Sequence, residues 1–145
     1  MKKTIYLFVL SILLFLGCKK SDNKIDSEPE ISGLQIEIKA VSGWGDEMNI
    51  SIDQNKTEIK YPKGSLPETK KDKAYKTSDA TFKRLSSYID TYKLMDVKIE
   101  ECARCADGTD YVIKIKLDGR ENTVTIAAHR TDGKYADLLD FIDKL

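Results

Sequence analysis

The chain has 145 residues, of which 24 are Lys or Arg and 24 are Asp or Glu, so its formal net charge is zero. A chain of this length fits a single domain. Nucleic-acid-binding domains are usually strongly basic, so the charge balance argues against a nucleic-acid partner.

The first 17 residues have the composition of a secretory signal peptide. Lys2 and Lys3 form a positively charged start, and residues 5–16 are apolar except for Ser11. This order of segments is typical of a leader that is removed, not of a folded element. Twelve helical residues span about 18 Å, whereas a bilayer core is about 30 Å thick. We therefore predict a signal peptide over residues 1–17 and not a membrane-spanning helix.

The leader ends in Gly17 followed by Cys18. A small residue and a cysteine after an apolar segment resemble the lipobox of bacterial lipoproteins, although Phe15 stands where Leu is usual. The resemblance implies cleavage before Cys18 and acylation of Cys18, for example with palmitate. In Gram-negative lipoproteins a residue such as Lys19 after the cysteine favours the outer membrane. The alternative is an ordinary secretory signal with an incidental cysteine.

The segment after the leader is predicted to be a tether. Without residues 1–17 the chain keeps 22 basic and 24 acidic residues, a net charge near −2. Residues 18–30 are polar and lack an apolar period, which is typical of a flexible linker. Residues 31–145 are then a single domain held at the cell envelope by the lipid on Cys18.

Alternation of apolar and polar residues predicts three strands at the start of the domain. They cover residues 34–40, 48–52 and 57–61, with a glycine-rich loop at 42–46 and a hairpin turn at 53–56. Residues 62–73 are predicted to be a lysine-rich loop. A helix then follows Ser78, which is a good N-cap residue, and it ends near residues 92–94. Its apolar face contains Phe82, Leu85, Ile89 and Tyr92.

The second part of the domain repeats the order of strands and then a helix. Alternating residues predict strands at 111–117 and 123–126, joined by Asp118-Gly119, a strong hairpin signal. A closing helix is predicted from about Tyr135. The order β-β-β-α-β-β-α predicts an α+β fold. It has an antiparallel sheet of about five strands, with two helices packed on one face and water on the other.

The mature domain resembles small uncharacterised lipoproteins of the Gram-negative envelope. The shared features are the glycines around Trp44, the cysteine- and Asp-Gly-containing turn at residues 102–110, and the final helix. The resemblance implies a fold and no activity.

Cys102 and Cys105 form the clearest motif, a C-x-x-C pair. If Cys18 is acylated, they are the remaining thiols, and outside the cytoplasm they are expected to form a local disulfide. A redox function would need a thiolate of lowered pKa, to which Arg104 could contribute. A metal site would need further ligands, for which His129 and the nearby aspartates are the candidates. The structural disulfide is the favoured interpretation.

Two other motifs are weaker. Residues 107–110 (Asp-Gly-Thr-Asp) are reminiscent of a calcium loop but lack the spacing and closing glutamate of an EF-hand, so we predict a turn. His129 is the only histidine, and no nucleophile elbow or phosphate-binding glycine loop accompanies it. We predict no catalytic residues, no metal and no cofactor.

Two surface features suggest partners. Trp44 lies between two glycines and is a candidate binding residue, because Trp is enriched in binding hot spots. The alternative, that Trp44 folds over the sheet edge as core, is favoured because large aromatics are mostly buried. Lysines at 60–76 could contact anionic headgroups or lipopolysaccharide, but a solvated face is the simpler interpretation.

The sequence as a whole predicts a lipid-anchored, non-enzymatic envelope protein. It would bind an envelope protein or a glycan through the Trp44 loop or the polar face of the sheet, or give structural support. The alternative is a thiol-disulfide or metal-handling lipoprotein that uses Cys102 and Cys105.

Overall fold

The structure is a computed structural model that describes residues 33–63, 70–128 and 133–145. Within these residues there are six strands, two α-helices and one turn of 3-10 helix. In chain order they are β1 (Gln35–Ser42), β2 (Gly45–Ile52), β3 (Lys56–Lys60), β4 (Lys73–Lys76), α1 (Asp79–Thr91), the 3-10 turn (Arg104–Ala106), β5 (Thr109–Leu117), β6 (Arg120–Ala127) and α2 (Ala136–Asp143).

The six strands form one sheet in the order β4-β3-β2-β1-β5-β6, and every neighbouring pair is antiparallel. The α+β class and the antiparallel sheet are therefore confirmed. The central strand β1 pairs with both β2 and β5, because α1 and the segment after it carry the chain from one edge of the sheet to the other side of β1.

The predicted number of strands was too small by one. β4 begins at Lys73, the last residue of the predicted lysine-rich loop, and continues through residues 74–76, for which no element was predicted; all four of its residues are exposed. Alternation could not reveal it, because neither of its faces is buried. β4 exists as a strand through its pairing with β3, in which Ile59 is opposite Lys73.

One face of the sheet forms the core with both helices. Alternate residues of β1, such as Ile36 and Ile38, are about 1 % exposed, and they belong to the same cluster as Leu85 of α1 and Leu138 of α2. The predicted packing of the helices on one face is thereby confirmed. Tyr111 of β5 also donates a hydrogen bond to the Asp143 carboxylate at the end of α2.

Local signals in the sequence match the ends of several elements. Ser78 Oγ accepts a hydrogen bond from the Thr81 amide at 3.0 Å, so Ser78 is the N-cap of α1 as predicted. Asp118 and Gly119 have φ of 51° and 76°, the left-handed pair that a tight hairpin turn requires. No helix among the described residues is long and apolar enough to cross a membrane.

Candidate functional site

Trp44 lies in a two-residue turn between β1 and β2. Ser42 Oγ accepts a hydrogen bond from the Trp44 amide at 3.2 Å and donates one to the Gly45 carbonyl at 3.3 Å. Gly45 has φ of +122°, a conformation that glycine adopts readily. The turn is thus held by its own hydrogen bonds and needs no support from the indole.

The Trp44 side chain is 92 % exposed. The expectation that it folds back over the sheet edge as core is wrong. The physical reason is the length of the turn: only Gly43 and Trp44 separate the paired residues Ser42 and Gly45, so the indole extends beyond the last strand pair. The binding hypothesis for this residue, in contrast, requires such exposure.

The second feature is the disulfide loop, residues 102–108. Cys102 and Cys105 form a disulfide, with their Cα atoms 5.5 Å apart. Both cysteines are exposed, whereas Ala103 between them is 1 % exposed. The Ala103 carbonyl accepts hydrogen bonds from the amides of Ala106 and Gly108, each at 2.9 Å.

Asp110 attaches this loop to the sheet. It belongs to β5 and is on the polar face by alternation with the buried Tyr111, yet it is 0 % exposed. Its Oδ1 accepts a hydrogen bond from the Ala103 amide at 2.5 Å, and its Oδ2 is 3.3 Å from Arg104 Nε. The loop therefore covers one end of the polar face, where a buried carboxylate and the half-exposed Arg104 side chain form an ion pair.

The turn and the loop are neighbours. A Cβ built on Gly43 would be 3.8 Å from the Arg104 carbonyl oxygen and 4.0 Å from Asp107 Oδ1. The sequence indicated Trp44 and the cysteine pair as two separate features, and the structure places them at the same end of the sheet. We call this surface, comprising residues 43–44 and 102–107, the tip.

The tip is at the opposite end of β1 from the point where the described chain begins. A Cβ on Gly33 would be 4.0 Å from Asp118 Oδ1, so Gly33 lies beside the β5–β6 turn. The seven steps from Gln35 to Ser42, at about 3.3 Å each, separate the two ends by about 23 Å. The described chain therefore enters the domain at the end of β1 away from Trp44.

The rest of the polar face carries lysines that form ion pairs with neighbouring carboxylates. Lys114 Nζ is 3.0 Å from Glu121 Oε1, and the hydrogen bond and charge of Glu121 raise the pKa of Lys114. Lys56 Nζ is 2.6 Å from Glu58 Oε1. Because these lysines of the polar face are already engaged by carboxylates, whereas Trp44 is exposed, the tip is the stronger candidate of the two predicted binding surfaces.

The part of the chain that the structure describes also contains an open groove of about 480 Å³ between residues 95–98 and β6. Asn122 at its base donates hydrogen bonds to the carbonyls of Leu94 and Val97, at 2.6 and 2.8 Å. The charged side chains that line the groove are paired as well: Asp96 with Arg120, Lys98 with Glu100, and Glu121 with Lys114.

The described residues bear on the metal hypothesis and not on the lipid hypothesis. Among the described residues no three His, Cys, Asp or Glu side chains come together to hold a metal ion. Asp107 occupies a left-handed turn position at φ 59°, and Asp110 is engaged by the loop. His129 and Cys18 lie outside the described residues, and both predictions about them stay predictions.

Comparisons with known proteins assign no family. No protein-family model matches the sequence, and no curated protein matches it.

Gly108 provides a direct test of how the tip is packed. A Cβ at Gly108 would be 2.7 Å from Ala103 Cβ and 2.9 Å from the Ala103 carbonyl oxygen. Overpacking of this kind costs about 1–3 kcal/mol, so Gly108→Ala is expected to lower the free energy of unfolding by that amount in urea denaturation. Gly43→Ala is the matched control, since its nearest contact would be 3.8 Å. Equal stability of the two variants would contradict the described packing of residues 103–108.

Proposed function

We propose that this chain is a lipid-anchored protein of the bacterial cell envelope that binds a partner through its tip and catalyses no reaction. The observation that carries the binding role is the 92 % exposure of Trp44 on a turn that holds its own shape. The partner would be an envelope protein or a glycan.

The proposed address rests on the N-terminal sequence. Residues 1–17 have the order of a signal peptide, and Gly17-Cys18 resembles a lipobox. Lys19 favours the outer membrane by the same resemblance. With acyl chains on Cys18, residues 18–30 would connect the membrane to the Gly33 end of the domain.

The proposed binding role rests on the chemistry of Trp44 and its surroundings. Trp and Arg are the residues most enriched in binding hot spots, and Arg104 lies in the loop beside the Trp44 turn. The turn and the loop are each held by internal hydrogen bonds, and a preorganised surface loses less entropy when it binds. An exposed indole with neighbouring polar groups can stack on a sugar ring or fill a pocket of a protein.

A second candidate function is thiol-disulfide exchange, which the exposure of Cys102 and Cys105 favours. In this reaction an external dithiol would give two electrons and two protons to the Cys102–Cys105 bond. The partner would become a disulfide and the pair would become two thiols. Arg104 could stabilise a thiolate. A metal-handling version would use the two thiolates as soft ligands.

The anchor can be tested by metabolic labelling. Cells that express the full chain are grown with labelled palmitate, and the label is expected on the wild-type protein and not on Cys18→Ala. The variant should also move from the membrane fraction to the soluble fraction. A Cys102→Ala/Cys105→Ala double variant is the matched control and should keep the label. An unlabelled wild-type protein would overturn the proposed address.

The binding role can be tested with Trp44, because it is the single tryptophan of the chain. Its fluorescence therefore reports on the tip alone. A partner captured from detergent-solubilised envelope should shift this emission to the blue as the indole loses water. Trp44→Ala should weaken binding on the order of 30-fold, as loss of a hot spot does, and change the free energy of unfolding by less than about 0.5 kcal/mol.

The control for this measurement is Tyr75→Ala, which removes another exposed aromatic side chain from a strand far from the tip. It should leave the affinity unchanged. Retention of full affinity by Trp44→Ala would remove the tip from the proposal.

The two candidate functions differ in the reduction potential of the cysteine pair. A structural disulfide is expected to stay oxidised in glutathione buffers, with a potential below about −300 mV, whereas exchange-active pairs have potentials of about −270 mV or higher. Equilibration, alkylation of free thiols and mass spectrometry give this value. A pair that is reduced by glutathione would favour the second candidate over the first.

A further inference from the structure

Positive charge is concentrated in the segment that contains the β3–β4 edge of the sheet. Residues 56–76 contain seven lysines and three acidic residues, a net charge of +4, in a chain whose total is zero. The other residues together are therefore at −4. Such a separation of charge creates a local potential that a count over the whole chain does not show.

The structure places these lysines along one free edge of the sheet. β4 is the terminal strand, and every residue from Lys70 to Lys76 is exposed. Lys56 of β3 is directly opposite Lys76 of β4, an arrangement of like charges that is unfavourable across a strand pair. We call Lys63, Lys70, Lys71, Lys73 and Lys76, with Lys56 and Lys60 of β3, the basic edge.

Carboxylates of the described residues neutralise only part of the positive charge of the basic edge. Glu58 is shared by Lys56 and Lys60, at 2.6 and 3.7 Å. The hydrogen bond and charge of Lys56 and the charge of Lys60 lower the pKa of Glu58, as a positive local potential requires. Within the described residues no salt bridge joins the other lysines of the basic edge to a carboxylate, and Lys70 instead lies 5.3 Å from the Tyr61 ring centroid.

Lysines on an edge strand also prevent pairing with other chains. That role needs one or two charges on β4, whereas the basic edge extends to Lys60, Lys63 and Lys70 on both sides of the 64–69 segment. Tyr75 on β4 is 38 % exposed, and its hydroxyl is engaged by the Leu145 carbonyl at 3.0 Å. An amphipathic ring among lysine stems is suited to a membrane–water interface.

We propose that the basic edge docks on the anionic phosphate headgroups of a lipid bilayer and holds the domain edge-on against the membrane. The choice of a bilayer over other polyanions rests on the proposed lipid anchor, which would keep the domain within reach of that surface. One acyl signal plus a polybasic patch is a recurring way to make membrane attachment stable.

The test uses the chain from Lys19 onward, without acyl groups, so that binding does not depend on the anchor. The described core draws on no residue before Leu34, so this chain retains all of it. Co-sedimentation with vesicles is measured for phosphatidylcholine alone and for phosphatidylcholine with about one third phosphatidylglycerol. We expect binding to the anionic vesicles only, and its loss at 1 M salt, where the screening length falls to about 3 Å.

The decisive variant is Lys71→Gln/Lys73→Gln/Lys76→Gln. Each lysine near an anionic surface contributes about fivefold to binding, so the triple variant should bind on the order of 100-fold more weakly. Lys93→Gln/Lys98→Gln/Lys134→Gln is the matched control, because it removes the same charge from the region of the opposite, β6 edge: Lys98 and Lys134 line grooves with β6 residues, and Lys93 precedes Leu94, whose carbonyl accepts a hydrogen bond from Asn122 of β6. It should retain most of the binding. Circular dichroism verifies that both variants are folded.

Three results would overturn the proposal. The first is equal binding to neutral and to anionic vesicles, and the second is unchanged binding by Lys71→Gln/Lys73→Gln/Lys76→Gln. The third is an equal loss of binding in this variant and in the control variant. Competition by millimolar inorganic phosphate would also overturn it, since it would indicate a site for a free anion and not a surface. None of these results bears on palmitate labelling at Cys18 or on the affinity of the tip, so this inference and the proposed function can fail separately.

Discussion

The arrangement of the tip depends on one buried carboxylate. Asp110 is a charged residue without solvent exposure. Its Oδ1 accepts a hydrogen bond from the Ala103 amide, and its Oδ2, which has no hydrogen bond among the described residues, is 3.3 Å from the Arg104 guanidinium and is stabilised by that charge. A buried charge is costly unless it is paired and hydrogen-bonded. The loop that supplies these partners must therefore fold onto the polar face of the sheet, where it brings the Cys102–Cys105 disulfide beside the turn that carries Trp44.

The disulfide and Asp110 act on the same seven-residue loop from two sides. The covalent bond closes residues 102–105, while the carboxylate attaches the backbone between the two cysteines to β5. Gly108 then allows the chain to pass close to Ala103 as it turns into β5. Because each constraint involves a different group, the loop is held in place although most of its side chains are in water.

The sheet has distinct chemistry on each of its sides. One face carries the apolar core under α1 and α2, and the other carries ion pairs both between strands, as in Lys114–Glu121, and within a strand, as in Lys56–Glu58. The exposed indole lies beyond one end of β1 and Gly33, where the described chain begins, lies beyond the other; the strand between them is about 23 Å long. Along one side runs the basic edge. The tip and the basic edge are therefore different surfaces of the domain.

Local patterns in the sequence determined most of the fold. Period-two alternation in β1, β2, β5 and β6, the N-cap at Ser78 and the Asp118-Gly119 turn depend on residues close together in the chain, so they were predictable. β4 was not, because a fully exposed strand has no alternation and exists only through its partner β3.

The candidate site was predictable only in part. Trp44 and the cysteine pair could be singled out by their residue types. Because they are almost 60 residues apart in the chain, nothing in the sequence indicated that they lie close together. The exposure of Trp44 follows from the length of a turn that β1 and β2 close by pairing. The role of Asp110 had no signal at all, since an aspartate at the start of a strand usually faces water. Tertiary structure decided these points, because burial and ion pairing depend on contacts between residues that lie far apart in the sequence.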